Sequence, residues 1–321
     1  MEHDRAFETG LDAFARRVLG GPIAHLRRLT GGASQQLWSF DVGDRGYVLR
    51  RAPGGAMFDK MGTIAPETEA AVIGAVAAQG VPVAPVAAVL TPDDGLGRGF
   101  VSVRMPGEAL GKRIVADPRF AGIRDGLAHR CGAILSAIHA TPPASLPPLP
   151  VRSPARSLDQ LEGQLRSFGE PRPVFEAALA WLRDRCPPAT VPQLVHGDFR
   201  NGNFLLEPDR LVAVLDWEAC HLGDPVDDLG WLCMPSWRFG RPDLPVGGFG
   251  TRERLLAGYG RAVDPARLRF WEVRGILRWG LTCMAMAEAF LNGDRSIERA
   301  AVGRRASEAE LDLLHAMTEG A

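Results

Sequence analysis

The sequence predicts an α+β protein with two lobes, a small β-rich N-terminal lobe over residues 1–104 and a larger, mainly helical C-terminal lobe over residues 105–321. Alternating apolar and polar residues mark the early part of the chain, whereas helical periodicity dominates the rest. A Pro-Gly break near residues 104–107 separates the two patterns. A chain of 321 residues is long enough to bury a sizeable core.

The N-terminal lobe begins with apolar residues at helical spacing, which predict an amphipathic helix over residues 4–19 that ends at two glycines. Trp38, Phe40 and Val42 alternate with polar residues and predict a strand. A turn over residues 43–46 and a return strand ending at Arg50 follow. The remaining elements of this lobe are, in order, a helix over 68–79 and strands over 83–90 and 100–105.

The C-terminal lobe is predicted to be helical almost throughout. The only strands expected there cover residues 204–206 and 211–215, and together they form a hairpin. Helical periodicity predicts helices over 121–140, 157–168, 173–186, 224–234, 251–262, 268–292 and 296–318.

Composition excludes several classes of function. The net charge is −1, so no overall field attracts nucleic acid or an anionic membrane. The most apolar stretch, residues 70–90, contains Pro82 and Pro85 and is too interrupted to span a bilayer. Five scattered cysteines and a polar N-terminus without a signal core predict a soluble, cytoplasmic protein with reduced thiols.

The residues that carry chemistry are concentrated in VHGDFRNGNF, which contains His196, Asp198 and Asn203, and in VLDWE, which contains Asp216. The predicted hairpin separates the two stretches. Because a hairpin brings its ends together, we expect Asp198, Asn203 and Asp216 to converge. Phosphoryl transfer requires such a set, in which one carboxylate orients the attacking hydroxyl while an Asn and a second Asp hold Mg²⁺.

HGDFRNGN followed by LDWE resembles the catalytic loop and metal-binding Asp of the aminoglycoside phosphotransferase and choline kinase-like family, which has a bilobal protein-kinase-like fold. TEAAVIGAVAAQGVPVAPV and LGDPVDDLGWL are also similar to this family. YVLRR and PSWRFG resemble most the kinase-like domain linked to acyl-CoA dehydrogenases. The resemblance implies that Asp198 is the catalytic base, that Asn203 and Asp216 bind Mg²⁺, and that His196 supports the loop backbone.

By the same resemblance the N-terminal lobe supplies the nucleotide clamp. The segment LTGGASQQ lies between two strands, where a loop covers phosphates with backbone amides; its candidate contacts are Gly31, Gly32 and Ser34. The adenine of ATP is expected to hydrogen-bond the connector backbone near Val103 and Met105, with the nucleotide between the lobes.

Arg50 occupies the position of the kinase lysine. Lys60 and Lys112 are the only lysines of the chain, and both lie outside this strand. Arginine can bind phosphates and pair with a carboxylate of the following helix, for which Glu69 is the candidate and Glu67 the rival.

The implied function is transfer of the γ-phosphoryl group of ATP to a hydroxyl of a small molecule, with Mg²⁺ as cofactor. Arg200 is expected to touch the phosphate or the acceptor. The late helices lack the carboxylate cluster that a polycationic aminoglycoside needs, and the resemblance to the dehydrogenase-linked domain suggests a hydroxy acid or hydroxyacyl compound. The alternatives are an aminoglycoside-modifying resistance kinase and a nucleotide-binding pseudokinase, the latter motivated by Arg50.

Other polar residues have structural interpretations. Asp224 and Asp228 are expected to brace the catalytic loop or cap a helix, His139 to be a core histidine, and Glu218 to lie behind the metal ligands. A zinc hydrolase site lacks any His-x-His or His-Glu-x-x-His spacing; its members would be His196, Asp198, Asp216 and His221. The late aromatic residues are expected in the core or in an acceptor pocket: Trp271, Trp279 and Phe290.

Overall fold

The computed structural model describes residues 2–29, 36–52, 63–294 and 296–318, with side chains from residue 5 onward. The helices are α1 (Glu2–Val18), α2 (Pro66–Ala77), α3 (Gly111–Ala116), α4 (Ala121–His139), α5 (Pro154–Ser167), α6 (Pro173–Asp184), α7 (Val226–Cys233), α8 (Arg252–Tyr259), α9 (Pro265–Leu291), α10 (Ile297–Gly303) and α11 (Ala306–Thr318). The strands are β1 (Ile23–Leu29), β2 (Gln36–Val42), β3 (Arg45–Ala52), β4 (Val86–Val89), β5 (Arg98–Val103), β6 (Gln193–Val195), β7 (Phe204–Leu206), β8 (Leu211–Val214) and β9 (His221–Gly223). None of the helices in these ranges is long and apolar enough to cross a membrane.

The chain folds into two units, each assembled from separate segments. The first unit comprises Met1–Ala109, Ala140–Leu149 and Asn203–Cys220, and the second comprises Leu110–His139, Pro150–Gly202 and His221–Ala321. The sequence predicts a single division between residues 104 and 105, whereas the β7–β8 hairpin returns to the first unit. Backbone hydrogen bonds join the hairpin to the rest of the first unit, because Glu108 N donates to Leu206 O at 2.8 Å and Val214 N donates to Pro82 O at 2.8 Å.

The first unit is built on an antiparallel five-stranded sheet in the order β1-β2-β3-β5-β4. Val42 pairs with Arg45 across a two-residue turn, in which Gly43 has φ +57°. This left-handed backbone favours glycine and matches the right-handed twist of the flanking strands. The turn predicted over residues 43–46 is thereby confirmed.

Helix α1 packs on the sheet of the first unit through its apolar stripe. Leu11 and Phe14 share a buried core with Phe40 of β2 and Leu49 of β3. Since successive side chains of a strand alternate between faces, Arg50 is directed away from this core. The sheet thus presents Arg50 on the side opposite to the Leu49 side chain.

In the second unit, α7 lies tightly against α9. A Cβ atom added at Gly230 would meet the Trp271 backbone at 2.7 Å, and one added at Gly275 would meet Met234 Sδ at 2.8 Å. Glycine at both positions therefore permits the close approach of the two helices. This packing fixes the face of α7 that carries Asp228 and Trp231.

The structure differs from the sequence-based expectation in three places in the C-terminal part, the first of which is helix α3 (Gly111–Ala116), which was not predicted. β6 and β9 form an additional antiparallel pair, in which Val195 is opposite His221. Strands of three residues carry too little alternation to be detected, and their partners are far apart in the chain. The helix expected over 296–318 is divided into α10 and α11, and Gly303 at the end of α10 packs so closely that a Cβ there would lie 2.8 Å from Ala287 Cα.

Candidate active site

The β7–β8 hairpin brings Asn203 and Asp216 together in the first unit. Phe204 pairs with Val214, and Leu215 N donates to Asn203 O at 2.8 Å, so Asn203 lies beside the residue that precedes Asp216. Asp216 has φ +69° and ψ +64°, a left-handed conformation that Asp and Asn adopt more readily than most residues. The chain turns there from β8 into a single 3₁₀ turn, Trp217–Ala219. The hairpin thus places Asn203 beside the Asp216 segment within this unit, as expected, whereas the approach of Asp198 to these two residues stays a prediction.

Arg50 lies at the centre of three carboxylates in the same unit. Its Nη1 is 3.3 Å from Glu69 Oε1, and its Nη2 is 3.1 Å from Glu218 Oε2 and also donates to Asp216 Oδ1. Glu69 is therefore the helix carboxylate that pairs with Arg50. The rival Glu67 is exposed and binds Arg98 instead, at 2.6 Å.

Negative charge exceeds positive charge in this cluster, because one guanidinium faces three carboxylates. Burial raises the pKa of Glu69 to about 7; Arg50 opposes the rise, and the other two carboxylates add to it. Burial lowers the pKa of Arg50, but the three carboxylates outweigh it and raise that pKa overall. Glu69 Oε2 is buried and has no hydrogen-bond partner within the described part of the chain.

The donors of this cluster fit a divalent cation. Asn203 and Asp216 offer hard oxygen ligands, and the uncompensated negative charge favours Mg²⁺, which commonly takes one or two protein ligands together with phosphates and water. No group of three His, Cys, Asp or Glu residues able to hold a metal ion occurs in the described ranges. Because Arg50 occupies the middle of the three carboxylates, these residues suit a cation whose remaining ligands are oxygens of the nucleotide.

In the second unit, Asp228 of α7 holds the backbone at the start of the HGDFRNG loop. Its carboxylate accepts hydrogen bonds from His196 N at 2.8 Å and Gly197 N at 2.9 Å, and it contacts His139 Nε2 at 3.1 Å. Burial raises the pKa of Asp228, but the hydrogen bond and charge of His139, with those of His196, outweigh burial and lower the pKa overall. The predicted bracing role of Asp228 is confirmed.

His196 acts on the backbone of its own loop, as predicted. Asp198 N donates to His196 Nδ1 at 3.1 Å, and the ring of His196 is completely buried. Arg278 of α9 donates to Gly197 O at 2.8 Å, which adds a second support. Asn201 is buried as well and donates to Gly247 O at 2.8 Å, so it anchors the loop.

Hydrogen bonds from Arg200 and Trp231 hold the Asp198 carboxylate. Oδ1 accepts from Arg200 Nε at 3.0 Å and from Trp231 Nε1 at 2.8 Å. The guanidinium of Arg200 also stacks on the Trp237 ring at 4.5 Å, and that ring is 4.9 Å from the half-buried Trp279. The two contacts to Oδ1 fix the direction of the Asp198 carboxylate.

Trp231 and Trp237 are the site residues that sequence analysis missed. Trp231 follows Asp228 by three positions and therefore lies on the same face of α7. That spacing was the available signal, although a buried Trp on a helix is more often a core residue. By contrast, Trp271 is a core residue whose indole donates to Asp224 Oδ2 at 2.7 Å.

The other predicted nucleotide contacts belong to the phosphate loop and to the connector between the lobes. Gly31, Gly32 and Ser34 lie outside the described residues. At the connector, Val103 N donates to Pro85 O at 2.9 Å, so the sheet already uses this amide. Met105 follows the strand and is half-buried.

Comparison with known proteins places this site in a family. A family model described as the phosphotransferase enzyme family matches residues 25–271. Acyl-CoA dehydrogenase family member 10 of Mus musculus is 27% identical over an alignment of 246 residues, and the alignment covers 71% of this chain and only 22% of that protein.

Two solved structures share the fold over almost the whole chain. A putative aminoglycoside phosphotransferase from Ralstonia eutropha has a TM-score of 0.75 and 22% identity, covering 97% of this chain and 98% of that one. A thermostable mutant of aminoglycoside phosphotransferase APH(4)-Ia, in a ternary complex with AMP-PNP and hygromycin B, has a TM-score of 0.64 and 21% identity, covering 98% and 99%. The protein-kinase-like fold and the enzyme class predicted from the sequence are confirmed, and the chain belongs to the phosphotransferase enzyme family.

Proposed function

We propose that this chain is an ATP-dependent kinase that transfers the γ-phosphoryl group of Mg·ATP to a hydroxyl group of a small molecule. The observation that carries the proposal is the hairpin that sets Asn203 beside the Asp216 segment, with Asp216 bonded to Arg50. Kinases of this fold use an Asn and an Asp to hold Mg²⁺ against the triphosphate. In this proposal Asn203 and Asp216 hold the cation, which supplies neutralisation of phosphate charge.

Asp198 is the proposed base. Arg200 and Trp231 fix its carboxylate, so that it orients the acceptor hydroxyl and receives its proton as the new P–O bond forms. Arg200 bonds Asp198 in this structure, and we propose that it contacts the transferred phosphoryl group when substrates are bound. His196 acts through the loop backbone and touches no reacting atom.

ATP is the proposed phosphoryl donor, and Arg50, still paired with Glu69, is the proposed contact to its α- and β-phosphates. Support comes from the shared fold of APH(4)-Ia, which was solved with the ATP analogue AMP-PNP. Because the sheet uses the Val103 amide, we propose that Met105 supplies the backbone hydrogen bond to adenine. Gly31, Gly32 and Ser34 remain the proposed phosphate loop.

The acceptor is proposed to be a hydroxy acid or hydroxyacyl compound rather than an aminoglycoside. Arg200 lies on the face of Trp237, and Arg278 lies on the face of Trp231, whose indole binds the Asp198 carboxylate. These cations would repel a polycationic antibiotic and favour an anionic or neutral acceptor. In addition, Trp237 Nε1 is a buried donor without an acceptor in the described ranges, which suits a ligand rich in oxygen.

A nucleotide-binding pseudokinase is the second candidate, because position 50 holds arginine. The test is ADP release from Mg·ATP with a panel of hydroxy acids, hydroxyacyl thioesters, sugars, amino alcohols and aminoglycosides. We expect turnover with at least one acidic acceptor and its loss, by about 100-fold or more, in Asp216→Asn. Binding of AMP-PNP without turnover across the whole panel would favour the pseudokinase.

A further inference from the structure

Arginine at position 50 requires a different arrangement of hydrogen-bond acceptors around it than a lysine would require. A guanidinium carries its donors on separate nitrogen atoms in a rigid fork, whereas an ammonium is a compact point charge. In this cluster Nη1 is directed to Glu69, and Nη2 is directed to both Asp216 and Glu218. Nη2 of Arg50 therefore binds Asp216, which is a proposed metal ligand.

Glu218 reaches Arg50 from a backbone that is fixed independently of its side chain. Its carbonyl oxygen accepts from Ile64 N at 2.8 Å. The neighbouring Trp217 is buried, donates through its amide to Glu69 Oε1 at 3.2 Å, and donates through its indole to Val214 O at 3.1 Å. Substitution of the Glu218 side chain therefore leaves these backbone and indole anchors in place.

A cation and Arg50 compete for Asp216, because both are positively charged and bind the same carboxylate. The two positive charges also repel each other. If Asp216 were the only acceptor for Nη2, binding of the cation would leave that arm of the buried guanidinium without a partner. Such a loss is costly for a charged group that is only 17% exposed. Glu218 provides the alternative acceptor at 3.1 Å.

Building on the proposed Mg·ATP kinase activity, we infer that Glu218 is a positioning residue that compensates for arginine in place of lysine. It accepts Nη2 of Arg50 and thereby releases Asp216 for the divalent cation. A lysine at position 50 would present a single nitrogen, for which Glu69 is the partner, and Glu218 would then have no such role. The inference therefore predicts energetic coupling between positions 50 and 218.

The experiment is a double-mutant cycle on the full chain with Arg50→Lys, Glu218→Gln and both changes, read as AMP-PNP binding by calorimetry across a series of Mg²⁺ concentrations. We expect Glu218→Gln to raise the Mg²⁺ concentration at half-saturation about tenfold when residue 50 is arginine, and less than about twofold when it is lysine. Any effect of removing a nearby negative charge is common to both backgrounds and cancels in the cycle.

Glu218→Asp separates contact from charge, since it keeps the carboxylate but shortens its reach. We expect it to shift the Mg²⁺ midpoint in the direction of Glu218→Gln; behaviour like the wild type would overturn the inference. Glu67→Gln is the matched control, because Glu67 is an exposed carboxylate of the same helix as Glu69 and pairs with Arg98. It should leave the midpoint unchanged.

Two results contradict the inference: equal shifts in both backgrounds, or no shift in the arginine background. A change in AMP-PNP affinity that is the same at every Mg²⁺ concentration would indicate a merely structural role and also contradict it. Thermal unfolding of the metal-free variants verifies that each is folded. Failure of the wild type to bind AMP-PNP with Mg²⁺ would instead refute the proposed function itself.

Discussion

The polar clusters of the two units both pair guanidinium with carboxylate groups, but they differ in their balance of charge. In the first unit the guanidinium of Arg50 is surrounded by carboxylates, including those of Glu69 and Asp216. In the second unit the Asp198 carboxylate is held by one guanidinium and one indole N–H, from Arg200 and Trp231. An excess of carboxylates creates a place for a cation, whereas a carboxylate among hydrogen-bond donors is fixed in direction.

The largest expected effect tests the second cluster. Asp198→Asn keeps the shape of the side chain and its contact with Trp231, but it removes the proposed base and the ion pair with Arg200. We expect phosphoryl transfer to fall about 1,000-fold while Mg·AMP-PNP binding persists. The measurement is ADP release with the preferred acceptor of the screen, beside Asp209→Asn, an exposed change in the hairpin turn, which should be neutral. Retention of wild-type rate would remove Asp198 from the mechanism.

A smaller effect is expected for the hydrogen bonds that Asp228 accepts from the backbone of the loop that carries Asp198. Asp228→Asn leaves the buried backbone amides of His196 and Gly197 with one carbonyl oxygen between them. We expect a loss of about 2–3 kcal/mol in the free energy of unfolding, measured in urea, against no change for the exposed Asp125→Asn. The pKa of Asp228 is lowered in the folded state, so its contribution is present above the ordinary Asp pKa and is lost as pH falls through the lower folded value. A variant as stable as the wild type would show that the loop is held by other contacts.

The contribution of the first cluster to the free energy of unfolding should depend on pH in the opposite direction. The pKa of Glu69 rises from 4.5 to about 7 on folding, so between these values the folded state binds more protons than the unfolded state. The free energy of unfolding should therefore decrease as pH rises through this window, by about 3 kcal/mol in the metal-free protein. Urea unfolding at several pH values should show this slope in the wild type and in Glu67→Gln, and a weaker slope in Glu69→Gln. An identical slope in Glu69→Gln would mean that another group titrates.

The smallest effect separates the two donors to Asp198. Trp231→Phe preserves a ring on α7 but removes the indole N–H that binds Oδ1. We expect kcat to fall about tenfold with unchanged affinity for Mg·AMP-PNP, because the carboxylate loses a hydrogen bond that restrains its direction. Trp181→Phe, a change on α6 where the indole stacks with Arg185, is the control. If kcat is unaffected, the Trp231 indole does not direct Asp198.

Much of this architecture could be predicted because its signals are local. The β7–β8 hairpin follows from two short apolar runs around a turn, and it carries Asn203 to the Asp216 segment as expected. The partner of Arg50 was narrowed to two glutamates by their place at the start of one helix. Sequence analysis favoured Glu69 over Glu67, and the structure agrees, because of these two residues only Glu69 lies on the buried face of α2.

Other features depend on contacts between distant segments. β6 and β9 are too short to show alternation, and each is stabilised by its partner rather than by its own sequence. The hydrogen bond from Trp231 to Asp198 joins a helix to a loop, and nothing in the amino-acid pattern distinguishes such an indole from a core residue. Likewise, the sharing of Nη2 between Asp216 and Glu218 follows from side-chain directions that sequence spacing does not determine.

The left-handed backbone at Asp216 has an evolutionary consequence. Asparagine tolerates this conformation about as well as aspartate, and a single-base change in the codon converts one into the other. A lineage could therefore lose the proposed metal carboxylate without any strain in the backbone at this turn. In the proposed function, the step from a working kinase to a silent nucleotide-binding relative is then one mutation long.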